Sequence, residues 1–533
     1  MNTQANVHDE MKMIQRARRN TLSDILSRTA ARMPDKNAIA YNGVTVTYKE
    51  LDTLVTLTAY GFKRDGMGKG DMIIVMSKNS LDFVIVNFAL ARIGAVMIPI
   101  NYMLSTTDTA YIIEHAKASG FIASKAYADV LDISAKEKAK EIKYRYIMEN
   151  SEDQVEGWKN LKDIQDGHNS NAKIEVEIAD DDLCHVLYTS GTESRPKGVM
   201  LTHKSIMNEY ASCVFSGKME SDDIMIHALP LYHSAQLHVF LGPSIYIGCS
   251  SIILEKATPE LILKTIEETG ASQLFCPPTV WIAILRHPDF EVRDLSTLRK
   301  CYYGAAIMPR EILKELSSRL PNAKFWNLYG QTEVAPLATV LQPEDQLRKI
   351  GSAGTPSLYV ETRIVNDQDE EVARGEVGEI VHRTPHAMKG YLYDPVKTRE
   401  AFRNGWFHSG DLGKMDEEGY ITIIDRKKDM INTGGINVSS REVEEVIYQL
   451  EGVSEVAVIS IPDPYWIEAV TAIIVPKKDV TLSKEVVEQF CKEHLTRFKV
   501  PKYVTFTDAL PKNPSGKVLK RALRDQYEIL NKK

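Results

Sequence analysis

Between positions 188 and 198 the chain reads Tyr-Thr-Ser-Gly-Thr-Glu-Ser-Arg-Pro-Lys-Gly, directly after an apolar run at residues 183–187. Such a loop can turn backbone N–H groups around Gly191, and the hydroxyls of Thr189, Ser190 and Thr192, toward phosphate oxygens, while Lys197 adds a point charge. It is not a P-loop. Counted from Gly191 the lysine falls in place, but Pro196 stands for the second glycine and Gly198 for the Ser/Thr. An ordinary surface turn uses the same residue types, so the loop alone leaves both readings open.

A second candidate is Asn327-Leu-Tyr-Gly-Gln-Thr-Glu333, placed after an expected strand. Ligands of open α/β sheets sit at the carboxyl ends of strands. A stacking ring at Tyr329, a hydroxyl at Thr332 and a carboxylate at Glu333 suit a nucleotide and Mg²⁺, although a solvated turn would look the same. A third is Gly405-Trp-Phe-His-Ser-Gly-Asp411, followed by Asp425-Arg426. A carboxylate there can bind ribose hydroxyls; the plainer reading is a β-hairpin turning at Glu418-Gly419. In the fourth, Pro511-Lys-Asn-Pro-Ser-Gly-Lys517, nothing intrinsic separates Lys517 from a surface lysine. His233 and His238 lie in an apolar stretch, where a lone histidine is more often hydrogen-bonded core than catalyst. HExxH, GxSxG and a post-strand GxGxxG are all missing from the sequence.

The elements that must hold these loops follow from periodicity. Thr47-Tyr-Lys-Glu50 has the capping-box form. After it, strands are expected near residues 72–76, 95–100 and 120–123, with helices near 80–93 and 107–115. This alternation means an α/β architecture with a mostly parallel sheet. Residues 125–180 are polar and read as a variable surface connection. A further βαβ unit is expected from a strand at 300–303, a helix starting at Pro309 and a strand at 323–328. Short strands with Asp, Asn and Gly turns over 359–380 suggest a small β-rich subdomain. The charged break at 425–429 is taken as a boundary between a large N-terminal domain (residues 1–425) and a small α+β domain (residues 426–533). In the latter a helix is expected at 440–450 and strands at 453–459 and 471–475.

With 533 residues the chain exceeds one compact core. A net charge of -7 gives no support to nucleic-acid binding. The six cysteines show no CxxC pair, arguing against zinc and a disulfide framework and for reduced thiols in a cytoplasmic protein. The longest apolar stretch, residues 83–100, is interrupted by Asn87, Arg92 and Gly94, so no transmembrane segment is expected; peripheral membrane contact and oligomeric state are left open.

Taken in order, these loops resemble the acyl- and aryl-CoA synthetases of the adenylate-forming, AMP-binding superfamily, from about Thr47 to Arg521. The resemblance implies ATP, Mg²⁺ and coenzyme A as reactants of a carboxylic acid. It implies that Thr189, Ser190, Gly191, Thr192 and Lys197 hold the β- and γ-phosphates. Gly304, Ala305 and Ala306 would lie against adenine, with Tyr329 stacked on the ring and Asn327 near its amino group. Thr332 would touch the α-phosphate, Glu333 bind Mg²⁺, and Asp411 and Arg426 bind the ribose hydroxyls. Lys517 would reach carboxylate and nucleotide during adenylation. Lys428 would be the hinge, Gly434 and Gly435 would flank the pantetheine tunnel, and His233 would gate the acyl site. Glu193-Ser194 departs from the usual Thr/Ser-Gly and puts a carboxylate into a phosphate loop. Leu237, Val239, Phe240, Leu241, Ile245 and Tyr302 give an apolar lining consistent with a hydrocarbon chain, though core packing predicts the same residues; the overall resemblance is to synthetases for medium- or long-chain fatty acids. An aryl or other small acid is the nearest alternative, and a non-catalytic nucleotide-binding regulator the alternative of a different class.

Overall fold

The computed structural model describes residues 13–148, 154–165, 174, 176–189, 195–306, 308–478, 480–512 and 518–531. The expected α/β architecture is present. An eight-stranded sheet runs in the order Gly390–Tyr391, Lys197–Thr202, Leu183–Thr189, Val96–Pro99, Met72–Met76, Gly120–Ser124, Tyr144–Met148, Lys159–Asn160. From Leu183–Thr189 onward all its pairings are parallel. These strands are buried on both faces, which is why Met72–Met76 reads as a continuous apolar run. Thr47 and Glu50 make the reciprocal capping box at the start of helix Tyr48–Arg64. The expected helix at 80–93 is Leu81–Ile93, capped by Ser80 and ended at Gly94 with φ +74°.

A nine-stranded sheet contains the second block. Its strands Lys300–Gly304 and Lys324–Gly330 pair in parallel, joined by helix Arg310–Arg319, which completes the expected βαβ unit. Gly304 lies opposite Leu328 and Tyr303 opposite Asn327. The candidate segments after Gly304 and Gly330 therefore leave the sheet at the same end.

Two expectations change. Residues 125–180 are more than a surface connection. They contain helix Lys125–Ala135 and strand Tyr144–Met148, which extends the parallel sheet beside Gly120–Ser124. The charged composition hid this because Tyr144, Tyr146, Ile147 and Met148 are buried while the polar residues lie around them. The β-rich region is also larger than 359–380. Its five strands run from Glu361–Val365 to Ile421–Arg426 and pair antiparallel throughout. The hairpin Trp406–Met415/Ile421–Arg426 turns through Asp416–Tyr420, with Gly419 at φ +86°. Arg426 is thus still in a strand, and the charged break begins inside it.

Beyond it, the long hairpin Val453–Asp463/Ile467–Pro476 joins Ile431–Thr433, Ile436–Val438 and Tyr503–Phe506 in a second five-stranded sheet. Helix Ser440–Ile447 packs on this sheet through Val443 and Ile447. Its first turn is tied back to the preceding strand: Asp425 Oδ2 accepts from the Ser440 N–H and the Ser440 hydroxyl, both at 2.7 Å. Arg441 donates to the Ile423 carbonyl at 2.6 Å. All six cysteines are buried free thiols.

Candidate active site

The chain brings the second and third candidate segments together through strand register rather than sequence proximity. Tyr329, at the end of its strand, donates its phenol to Asp411 Oδ2 at 2.7 Å. Asp411 faces Arg426 across the antiparallel hairpin, with Arg426 Nε 3.6 Å from Oδ1. Burial, reinforced by the adjacent Asp411 carboxylate, pushes the Tyr329 phenol well above its usual range, so it remains a donor. Asn327 spends its amide N–H on the Ser352 carbonyl at 2.9 Å. Its Oδ1 takes no bond among the described residues.

At the neighbouring strand end, Gly304 permits a contact that a side chain would block. A Cβ there would lie 2.4 Å from the Leu328 carbonyl oxygen. Ala305 follows with φ +64° and, like Ala306, is exposed. A non-glycine residue held in the left-handed region marks a backbone aimed by its surroundings.

Thr332 and Glu333 occupy a short 3-10 turn, Thr332–Val334, after strand Lys324–Gly330. Thr332 Oγ1 lies 3.1 Å from Ser234 Oγ, which brings the His233 turn beside it. His233 accepts from the Ala235 N–H and precedes the π-helical segment Ala235–Leu241, a form that recurs at functional sites. Glu333 Oε1 accepts from the Tyr391 hydroxyl at 3.0 Å, and Oε2 has no partner among the described residues. Tyr391 in turn lies under Lys197, whose Nζ is 4.6 Å from the ring centroid. Lys197 pairs with Thr189 across the hairpin that carries the first loop.

Ser190, Gly191, Thr192, Glu193, Ser194 and Lys517 lie outside the described residues. The strands on either side of the first loop are described, and so is the bridge Lys512↔Val518 at the base of the last. Lys428 is exposed, beside Asp429, whose carboxylate is tied to Arg524 at 2.7 Å. Gly434 (φ +61°) and Gly435 (φ +87°) form the exposed turn between Ile431–Thr433 and Ile436–Val438. Among the described residues, no hydrogen bond joins Gly434 or Gly435 to the Tyr329–Asp411 group. The apolar residues expected to line an acyl pocket are packed in the core, with Phe240 stacked on Phe275 at 4.5 Å and the Tyr302 hydroxyl on the Gly217 carbonyl. Sequence reading missed Tyr391, Ser234 and the support behind Glu333; a lone tyrosine in Met-Lys-Gly-Tyr carries no local signal.

The family described as AMP-binding enzyme matches residues 26–392, and the AMP-binding enzyme C-terminal domain matches residues 442–517. The chain belongs to the AMP-binding enzyme family. Similar proteins include a feruloyl-CoA synthase of Amycolatopsis sp, 33% identical over 500 residues, covering 94% of this chain and 98% of that one. A long-chain-fatty-acid–CoA ligase of Bacillus subtilis is 31% identical over 536 residues, covering 95% and 94%. Among solved structures, ATP-bound MatB from Rhodopseudomonas palustris superposes with a TM-score of 0.85 at 30% identity, covering 95% and 99%. The expected kinship with acyl-CoA synthetases of the adenylate-forming superfamily therefore holds for this AMP-binding enzyme.

Proposed function

We propose that this enzyme uses ATP to convert a carboxylic acid to its acyl-adenylate and then transfers the acyl group to CoA, releasing AMP. The observation that carries the reading is the convergence of Tyr329, Asp411 and Arg426 with the Glu333–Tyr391–Lys197 group around one end of the parallel strands. Tyr329 offers its ring to adenine, Asn327 Oδ1 an acceptor for the adenine amino group, and Gly304, Ala305 and Ala306 the flat backbone beside it. Asp411 and Arg426 hold the ribose hydroxyls. Thr189, Ser190, Gly191, Thr192 and Lys197 take the β- and γ-phosphates, and Thr332 the α-phosphate.

Magnesium favours one or two carboxylates plus phosphate oxygens, and the unpartnered Oε2 of Glu333 fits an ion arriving on the triphosphate. Such an ion would offset charge on the phosphates. The substrate carboxylate is already ionised and attacks the α-phosphorus; the bond to pyrophosphate breaks, so no side-chain base is needed. The residues supply position and charge: Lys517 reaches both reactants in this step, and His233 shapes the acyl entrance. In the second step the CoA thiol, its proton passing to solvent, attacks the acyl carbon and AMP leaves. Residues 426–533 turn about Lys428 between the steps, so that the Gly434-Gly435 turn replaces Lys517 at the site.

For the acid we favour a medium- or long-chain fatty acid, on the fatty-acid ligases among the relatives. The feruloyl-CoA synthase relative favours an aryl acid as the second reading. Six buried thiols fit the reducing cytoplasm. Among the described residues, no helix is long and apolar enough to cross a membrane. The test is AMP release with ATP, CoA and a panel of fatty, aromatic and short acids. Fastest turnover with octanoate to palmitate is expected. A wide margin for ferulate, benzoate or acetate overturns the fatty-acid reading, and no AMP with any acid overturns the ligase reading.

A further inference from the structure

Behind the Thr332–Val334 turn lies a buried acid–imidazole pair with no part in the chemistry above. Glu209, on helix His203–Ser216, and His386, in the loop before Tyr391, are both fully buried. His386 Nδ1 is 2.7 Å from the Val334 carbonyl oxygen, so Nδ1 carries the proton and donates it there. Glu209 Oε2 lies 3.1 Å from the same nitrogen without a hydrogen bond of its own. Its other oxygen accepts from the Leu337 N–H at 2.9 Å and from the Cys213 thiol at 3.2 Å.

These contacts converge on one short segment. The Val334 carbonyl is held by His386, the Glu333 carbonyl by the Met388 N–H at 2.8 Å, and the Leu337 N–H by Glu209. Ser205, one turn before Glu209 on the same helix face, anchors the Ala387 carbonyl at 3.0 Å. The turn that presents Thr332 and Glu333 is thereby fixed from behind at its backbone, while Tyr391 fixes the Glu333 carboxylate from in front. Burial drives the Glu209 carboxyl upward and holds the imidazole down to about 4, so both side chains are kept neutral and act through their hydrogen bonds.

We infer that Glu209 and His386 are positioning residues for adenylation, setting where Thr332 and Glu333 meet the α-phosphate and its magnesium. The inference rests on the proposed adenylation reading. Misplacing a catalytic group by about 1 Å costs on the order of a hundredfold; since the triphosphate and its magnesium belong to the first half-reaction, loss of the clamp falls mainly there.

The test compares H386L, which keeps bulk but removes the donor, with H386N, whose amide N–H stands where Nδ1 stood. ATP–pyrophosphate exchange is followed against Mg²⁺ concentration, with the acid that the unaltered enzyme uses best. Thioester formation from synthetic acyl-adenylate and CoA is measured in parallel, with thermal melting as the fold control. H386L is expected to raise half-saturating Mg²⁺ about tenfold and to lower exchange about thirtyfold, while thioester formation stays within about twofold. H386N is expected to return exchange to within about threefold. Exchange and Mg²⁺ dependence unchanged in H386L, equal loss of both half-reactions, or no recovery in H386N would each overturn the assignment. Should H386L not melt cooperatively, Glu209→Leu, which removes the acceptor for the Leu337 N–H, is compared with Glu209→Gln, which keeps it, with the same outcomes. If the unaltered enzyme binds MgATP but exchanges pyrophosphate with no acid, the adenylation reading has failed instead.

Discussion

The Tyr329 hydroxyl and the Asp411 carboxylate, 82 residues apart, meet at 2.7 Å and lock the end of a parallel strand to the β-rich sheet. In the proposed site Asp411 is thereby oriented before a ribose arrives. Tyr329→Phe keeps the ring proposed for adenine and removes only this restraint. A hydrogen bond to a charged group contributes about 1.5–3 kcal/mol, or roughly 10- to 150-fold in affinity. Equilibrium binding of AMP to the variant should weaken by up to that factor, and the melting temperature should fall as the bond is lost from the folded protein. An unchanged affinity would show that Asp411 orients itself without the phenol.

Gly304 gives a prediction about stability. A methyl group at this position would meet the Leu328 carbonyl oxygen at 2.4 Å, a contact backbone atoms cannot easily relieve. Gly304→Ala should therefore push two parallel strands apart at the site's edge, at a cost of about 1–3 kcal/mol. Chemical denaturation would read the loss directly, and nucleotide binding should fall with it. A stability equal to the unaltered protein's would mean that the strand end yields freely.

Acid should unfold the protein by way of its interior histidines. Burial holds His203 down to about 4, and His227, His238 and His382 down to about 3. In the unfolded chain each titrates near ~6.5, so below that pH the unfolded state binds more protons. The stabilisation is complete above ~6.5 and is lost as pH falls toward the folded values, at about 1.4 kcal/mol per pH unit for each histidine. Melting temperature should drop steeply between pH 6.5 and 4.5. A flat profile there would show that these imidazoles are solvated.

The division between half-reactions can be tested at Lys517. Lys517→Ala should abolish acyl-adenylate formation, measured by pyrophosphate exchange, and spare thioester formation from supplied acyl-adenylate. Equal loss of both would remove the proposed alternation.

Much of the scaffold was legible because its signals are local. The Thr47–Glu50 box and the apolar runs each act within one turn or strand. The candidate site residues stand in motifs, but their grouping depends on register: Asp411 meets Arg426 only because the hairpin aligns them. Tyr391, Glu209 and His386 gave no such signal. Their importance arises from neighbours far along the chain, as with the 58 residues between Tyr391 and Glu333. Strand Tyr144–Met148 was hidden for a related reason, since flanking charged residues masked a short buried run.

The bonds from Asp425 to Ser440 acquire a mechanical meaning when set against the chain order. Asp425 precedes Lys428 and Ser440 follows it, so any turn of the small sheet about Lys428 has to break two 2.7 Å bonds to one carboxylate, together with the Arg441–Ile423 contact. Hydrogen bonds to a carboxylate are among the strong ones. In the proposed alternation about Lys428 the joint would therefore behave as a detent and not as a loose swivel, and the depth of that notch would set how long each posture lasts.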